Sequence, residues 1–257
     1  MTDNSTAFPS KEIFEEKLYR IFKENSLESY LDENKADLFY RLAVALTETN
    51  KSLNLTAVTD ADGVILKHFA DSLIAVRDFP KGAKIIDVGC GGGFPTFPLA
   101  IVRPDLNITA LDSTEKKINF VKATSKELGL SNITAISDRA EALGRGVMRE
   151  SFDAATARAV AALPVLTELC MPFVKVGGSF VAMKALKADE ELADTLAESL
   201  FEKLGGEKEP STRFVSLLGG DEPLSRTVII SKKIKKTPDT YPRNYSQIAK
   251  SAKKRGK

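Results

Sequence analysis

The sequence predicts an α/β fold: a seven-stranded, mostly parallel sheet that closes with an antiparallel C-terminal hairpin and follows an N-terminal helical extension. Two observations predict it. Up to about residue 80 the apolar residues recur only at helical spacing, whereas from Ala83 onward short continuous apolar runs alternate with helical stretches. Such runs are the mark of parallel strands buried on both faces.

In order, Phe14, Leu18, Ile21 and Phe22 predict a helix over about Ser10 to Phe22. Leu38, Leu42 and Leu46 predict a second after an Asp32 cap, and Ile65, Phe69, Leu73 and Val76 a third from Gly63 to Phe79. Five strands follow: Lys84–Val88, Ile108–Leu111, Ile133–Ile136, Phe152–Ala155 and Ser179–Met183. Helices around Pro95–Val102, Thr114–Leu128, Pro164–Val174 and Ala188–Leu204 separate or follow them. Phe214–Leu218 and Thr227–Ser231 flank Gly219-Gly220-Asp221-Glu222-Pro223 and predict the hairpin. The organisation expected is a helical extension over 1–80, a core over 81–232 and a basic tail over 233–257.

Composition limits the alternatives. Two cysteines, Cys90 and Cys170, without a CxxC pair or Cys/His cluster give no zinc or disulfide framework and suit a reducing compartment. Met1 to Lys11 is polar, and no apolar stretch approaches a membrane span, so a cytoplasmic, membrane-free chain is expected, and a monomer is the working assumption. The net charge of +2 conceals an asymmetry: Lys232 to Lys257 carries ten Lys/Arg against Asp239 alone. That block suits a polyanionic partner, or serves as a solvated tail.

The strongest motif is Asp87-Val88-Gly89-Cys90-Gly91-Gly92-Gly93-Phe94, a D-x-G-x-G-x-G pattern directly after the first strand. Glycines there permit positive φ and let a ligand lie against bare backbone. An acid two residues before the first glycine suits a cationic sulfonium ligand, and the glycine phase differs from the dinucleotide G-x-G-x-x-G. The reading is therefore a Rossmann-like class I methyltransferase with S-adenosyl-L-methionine as cofactor. A nicotinamide-dependent oxidoreductase, a non-catalytic RNA-binding protein with a vestigial pocket, and a methyltransferase acting on protein or small molecules are the competing readings.

Asp112 ends the second strand, where a carboxylate can accept the hydroxyls of a ribose; the alternative is a helix cap, a task open to Ser113. After the third strand, Arg139, Ala140 and Glu141 occupy the expected adenine-binding position, with a surface-charge role nearly as good. The fourth strand ends in Asp153-Ala154-Ala155-Thr156-Ala157-Arg158-Ala159, which has neither an [Asn/Asp]-Pro-Pro-aromatic tetrad nor a Pro-Cys nucleophile. Cys170 reads as core. This absence suits an acceptor whose lone pair is already free, such as guanine N7, attacked in line without a general base. Arg158 is the expected catalytic residue, with an ion pair to Asp87 or Glu141 as its structural alternative, and Lys184 is a second candidate for phosphate or base contact. His68, the only histidine, reads as a hydrogen-bonded structural residue with Asp71 as a possible partner.

Taken together these segments resemble the RsmG (GidB) family, bacterial enzymes that make 7-methylguanosine in 16S ribosomal RNA. The resemblance rests on Asn54-Leu55-Thr56, His68-Phe69-Ala70-Asp71-Ser72, Asp87 to Leu99, Leu111-Asp112-Ser113 with Lys116-Lys117, Arg139-Ala140-Glu141, Ala157-Arg158-Ala159, and Thr237-Pro238 with Tyr241-Pro242-Arg243. It implies cofactor contacts at Gly89, Phe94, Asp112, Ala140, Glu141 and Arg158, to which the motif adds Asp87, Gly91 and Ser113. It also implies 16S rRNA or a small-subunit particle as partner, with Lys232 to Lys257, Arg139 and Lys184 on phosphates. The sequence departs at Thr96-Phe97, where glycine and a small aliphatic are frequent, at Lys184-Ala185 in place of Lys-Gly, and at Asn244-Tyr245-Ser246, where a Gly/Pro-containing stretch is usual.

Overall fold

The computed structural model describes residues 8–158, 161–185 and 195–253. Its first helix buries the stripe that predicted it, and the second buries Leu42 and Leu46 of its stripe, with Leu38 half-buried and Phe39 buried beside it. Helix α1 (Lys11–Glu24) buries Phe14, Leu18, Ile21 and Phe22. Helix α2 (Glu33–Leu53) starts at Asp32, whose side chain accepts from the Lys35 amide, and ends at Asn54 in the left-handed conformation. The third expected helix is broken and shorter. It runs as α3 (Ala61–Val64), a π-helical turn (Ile65–Ala70) and α4 (Asp71–Leu73). Beyond Leu73 the chain turns, and the carbonyls of Val76 and Phe79 accept from Arg103 instead of continuing the helix.

The sheet strands are β1 (Lys84–Val88), β2 (Asn107–Asp112), β3 (Ile133–Ser137), β4 (Phe152–Arg158), β5 (Val174–Ala185), β6 (Ser211–Leu217) and β7 (Leu224–Lys232). Their order is β3-β2-β1-β4-β5-β7-β6. The first five pair in parallel, while β7 is antiparallel to both β5 and β6, as the hairpin predicted. Strand β5 begins earlier than its apolar run. A register shift against β4 accommodates Gly177 and Gly178, the latter so close to Asp153 that a Cβ would meet its carbonyl at 2.4 Å.

Side chains alternate across the sheet. Ile85, Ala154, Val181 and Val228 join one core with α1, α2, α5 (Thr96–Val102) and α6 (Glu115–Leu128), so the helical lead-in shares the core of one sheet face. Ile86, Ala155, Phe180 and Ile229 join the other, with α7 (Ala140–Leu143), α8 (Leu163–Cys170) and α9 (Thr195–Lys203). Residues 188–194 of the expected helix before Leu204 lie outside the described residues, as do Ala159 and residues 254–257. Cys170 is buried in this second core, as its spacing predicted.

After β7 the chain does not leave the body. Lys233, expected among the phosphate contacts, is buried and donates to Met171 O and Thr237 Oγ1. Its ammonium is therefore taken up internally; burial, the largest effect, lowers its pKa to about 8. Lys232, Lys235 and Lys236 remain exposed. Arg149 donates to the carbonyls of Thr237 and Tyr241, Arg243 binds Glu168, and α10 (Tyr245–Lys253) buries Ile248. Among the described residues no helix is long and apolar enough to cross a membrane.

Candidate active site

The strand order reverses at β1, which has β2 on one side and β4 on the other, and a crevice opens beyond their carboxyl ends. Asp87, Asp112 and Arg158 are all placed there by strand register. The turn after β1 is held by backbone: the amides of Gly89 and Cys90 both donate to Leu111 O, at 2.7 and 3.0 Å. Gly91 has φ +57 and open space where a Cβ would stand, whereas a Cβ on Gly93 (φ +86) would meet the Phe97 ring at 2.3 Å. Asp112 joins the turn to α6: Oδ2 accepts from Gly91 N at 3.0 Å and Oδ1 from Thr114 N at 2.8 Å. Asp112 thus holds the amide of Thr114, the residue just before α6, while no side chain caps the helix itself.

Asp87 lies beneath the turn. It is fully buried, Oδ2 accepts from Thr96 Oγ1 at 2.6 Å, and Oδ1 has no partner. Burial raises its pKa to about 7, against the opposing Thr96 hydrogen bond. Thr96, the residue departing from the usual glycine, is thus the donor that keeps half of this carboxyl satisfied.

Two clefts meet at Gly89 and Asp112. The first, with about 620 Å³ of free space, is lined by Val88, Leu111, Ala140 and Leu169, with Ser113, Asp138, Arg139, Glu141 and Tyr245 at polar positions. The second, about 740 Å³, is polar and is lined by Leu55, His68, Cys90, Gly91, Gly92, Phe94, Lys117 and Arg158. The first suits a flat heterocycle with a ribose on Asp112; the second suits charged groups.

Arg158 is held by the lead-in. Its NH1 donates to Asp71 Oδ2 at 2.8 Å and to Lys67 O at 2.7 Å, so its ion pair is with Asp71 and not with Asp87 or Glu141. Glu141 pairs instead with Arg139. From β7, Arg226 Nε reaches the other oxygen of Asp71 at 2.6 Å. The imidazole of His68 stacks on Phe94 at 4.7 Å, places Nε2 2.7 Å from Thr56 Oγ1, and has Nδ1 3.4 Å from Arg158. Burial first, then the Arg158 charge, lowers its pKa to about 4, so it is neutral at physiological pH. The π-helical turn carries His68 to this position, a placement such turns often have at functional sites.

The family profile described as GidB, rRNA small subunit methyltransferase G, matches residues 34–213. The chain belongs to this family. Among its relatives are proteins named Ribosomal RNA small subunit methyltransferase G. The one from Lactobacillus delbrueckii subsp. bulgaricus is 47% identical over 203 residues, 77% of this chain and 83% of that protein. The one from Halalkalibacterium halodurans is 46% identical over 216 residues, 83% and 89% of the two chains. The one from Clostridium beijerinckii is 38% identical over 235 residues, covering 86% and 92%. In fold, the chain is similar to M. jannaschii TYW2 in complex with AdoMet, with TM-score 0.51 at 16% identity over 69% of this chain and 80% of that one. The chain is an S-adenosylmethionine-dependent methyltransferase with a Rossmann-like core.

Of the predicted residues, the structure brings Gly89, Gly91, Phe94, Asp112, Ser113, Ala140, Glu141 and Arg158 to the two clefts. Asp87 supports the turn from below. Lys184 is not brought there among the described residues: it is nearly buried in β5 and donates to Ala161 O at 2.7 Å. Sequence reasoning missed His68 as a cleft residue, together with Lys117 and Tyr245. The one usable signal was His68 three residues before Asp71, one helical turn apart, which ties both to the same ligand-facing surface. The residues present fit S-adenosylmethionine. An unpartnered buried oxygen on Asp87 lies under a turn with open space above Gly91, and Asp112 retains acceptor capacity beside an apolar slot.

Proposed function

We propose that the protein transfers the methyl group of S-adenosyl-L-methionine to N7 of a guanine in 16S rRNA of the small ribosomal subunit, acting in the cytoplasm as a monomer. The observation that carries this reading is the chemistry of the polar cleft, where, among the described residues, His68, Asp112 and Cys90 are not poised as general bases. His68 has its pKa held near 4, both oxygens of Asp112 accept backbone amides, and burial pushes the Cys90 thiol well up. An acceptor that must lose a proton would need such a base; N7 of guanine has none to lose.

Bound S-adenosylmethionine supplies an electrophilic methyl carbon on a sulfonium. Asp112 would accept the ribose hydroxyls, and Ala140, Leu111 and Leu169 would flank the adenine. The bare backbone of Gly89 and Gly91 would admit the amino-acid end. Phe94 and His68, stacked on each other, form a flat wall on which an unstacked base can rest. Arg158, fixed from two sides, and Lys117 place positive charge beside it for base or phosphate. Exposed Arg139 adds positive charge at the neighbouring cleft for the RNA backbone, whereas Lys232, Lys235 and Lys236 follow the pairing of Lys232 with Ser179 and so lie toward the amino end of β5, away from the clefts. Positioning and exclusion of water then account for the rate.

The test is transfer of labelled methyl from S-adenosylmethionine to small-subunit rRNA, naked or in particles, from cells lacking the protein, followed by nucleoside analysis. Label in 7-methylguanosine is the expected result. Label in another nucleoside, or none on either RNA preparation, would refute the proposal.

A further inference from the structure

One wall of the apolar cleft comes from outside the sheet and its crossover helices. Tyr245, the first residue of α10, lines it beside Asp112, Ala140 and Leu169. Its ring is 42% exposed and stands 4.9 Å from the Arg139 guanidinium, which in turn pairs with Glu141 at 3.1 Å. The ring is aimed by anchors on both sides. Before it, Arg243 binds the fully buried Glu168 at 2.6 Å. Arg145 takes Pro242 O at 2.6 Å and Asn244 Oδ1 at 3.0 Å. After it, Ile248 is buried against α8. A tail serving only as a solvated charge reservoir needs none of these. They fix an aromatic face over a slot already walled by aliphatic side chains.

We infer that Tyr245 is a cofactor-positioning residue whose ring covers the adenine, with Arg139 holding the ring in place by its cation–π contact. This rests on reading the cleft as the nucleoside half of the methyl-donor site. The sequence Asn244-Tyr245-Ser246, where a Gly/Pro-containing stretch is usual, is what supplies the ring.

Titration of S-adenosylhomocysteine and of 5′-methylthioadenosine into the wild-type chain, Tyr245→Ala and Tyr245→Phe tests the inference. Loss of one base–aromatic stack weakens binding about tenfold. Tyr245→Ala is therefore expected to lose about tenfold for both compounds, since they share the adenosine half, while Tyr245→Phe binds like wild type. In methyl transfer, Tyr245→Ala raises KM for S-adenosylmethionine and leaves kcat at saturating cofactor unchanged. The partly exposed ring makes an unchanged melting temperature the expected control. Wild-type affinity in Tyr245→Ala, or an equal loss in the Phe and Ala variants, would overturn the role of the ring while leaving the cofactor site intact. Failure of the wild-type chain to bind either compound would instead overturn the reading of the cleft itself, and the inference with it.

Discussion

Asp71 joins three segments far apart in the chain, and its removal has a calculable consequence. Its side chain is 5% exposed and carries Arg158 (13% exposed) on one oxygen and Arg226 (17%) on the other. Removing one partner of a buried pair costs about 3–5 kcal/mol, because the remaining charge stays desolvated. The guanidiniums retain some contact with water, and Arg158 keeps its bond to Lys67 O, so Asp71→Ala should fall near the lower end, about 3 kcal/mol. For a chain of this size that lowers the melting temperature by roughly 6–12 °C. Asp71→Asn should recover little, since its NH₂ would face an arginine N–H, donor against donor. The assay is thermal unfolding by circular dichroism of Asp71→Ala, Arg158→Met and the double variant. Because the residues touch, the double variant should be more stable than the sum of the singles predicts, by about 1–3 kcal/mol. Additivity within about 0.5 kcal/mol, or a shift below about 2 °C in Asp71→Ala, would refute the reasoning.

Asp87 has a pKa raised from 3.8 to about 7 in the folded state, so the unfolded chain releases this proton more readily. Its stabilising contribution is complete below pH 4 and is lost as pH rises toward 7, by about 4 kcal/mol if the group acts alone. Urea unfolding of the cofactor-free protein and of Asp87→Asn at pH 5 and pH 8 should show a drop in the first that the second lacks. The lone histidine offers a direct check, since its ring resonances need no assignment: in NMR the His68 imidazole should stay neutral down to about pH 4, and a midpoint near 6.5 would contradict its burial. Because its pKa is lowered by folding, His68 costs stability as pH falls from 6.5 toward 4. Gly93→Ala, whose Cβ would meet Phe97 at 2.3 Å, should destabilise by more than about 3 kcal/mol. Gly91→Ala should cost only about 1–2 kcal/mol of backbone strain and act chiefly by weakening S-adenosylhomocysteine binding, read by calorimetry.

Elements with a strong period were legible. The buried runs at Lys84–Val88 and Ile108–Leu111 and the stripe of Phe14, Leu18 and Ile21 read directly, because burial itself sets the pattern. The helix expected from Gly63 to Phe79 was not, because its end is decided by Arg103, a residue at least 24 positions away that takes its carbonyls. The tail misled for a related reason. A lysine in a basic run looks solvated, yet Lys233 is buried, because the Met171 carbonyl, the Thr237 hydroxyl and the Glu150 carboxylate take up its ammonium.

The glycine turn and Asp112 were readable because their chemistry is local: a ligand-facing turn needs glycine, and a strand end needs one carboxylate. The partner of Arg158 was not local. Asp87 and Glu141 were nearer in the expected site, but Asp87 faces Thr96 beneath the turn and Glu141 faces Arg139. The carboxylate that meets Arg158 comes from the helical lead-in, 87 residues earlier. That ties Asp71 to the candidate site through Arg158, sets His68 in the lining of the polar cleft, and gives the lead-in a task beyond covering the sheet. A substitution in α4 or the π-helical turn should therefore disturb methyl transfer as directly as one at the end of β4, since both elements hold the same guanidinium.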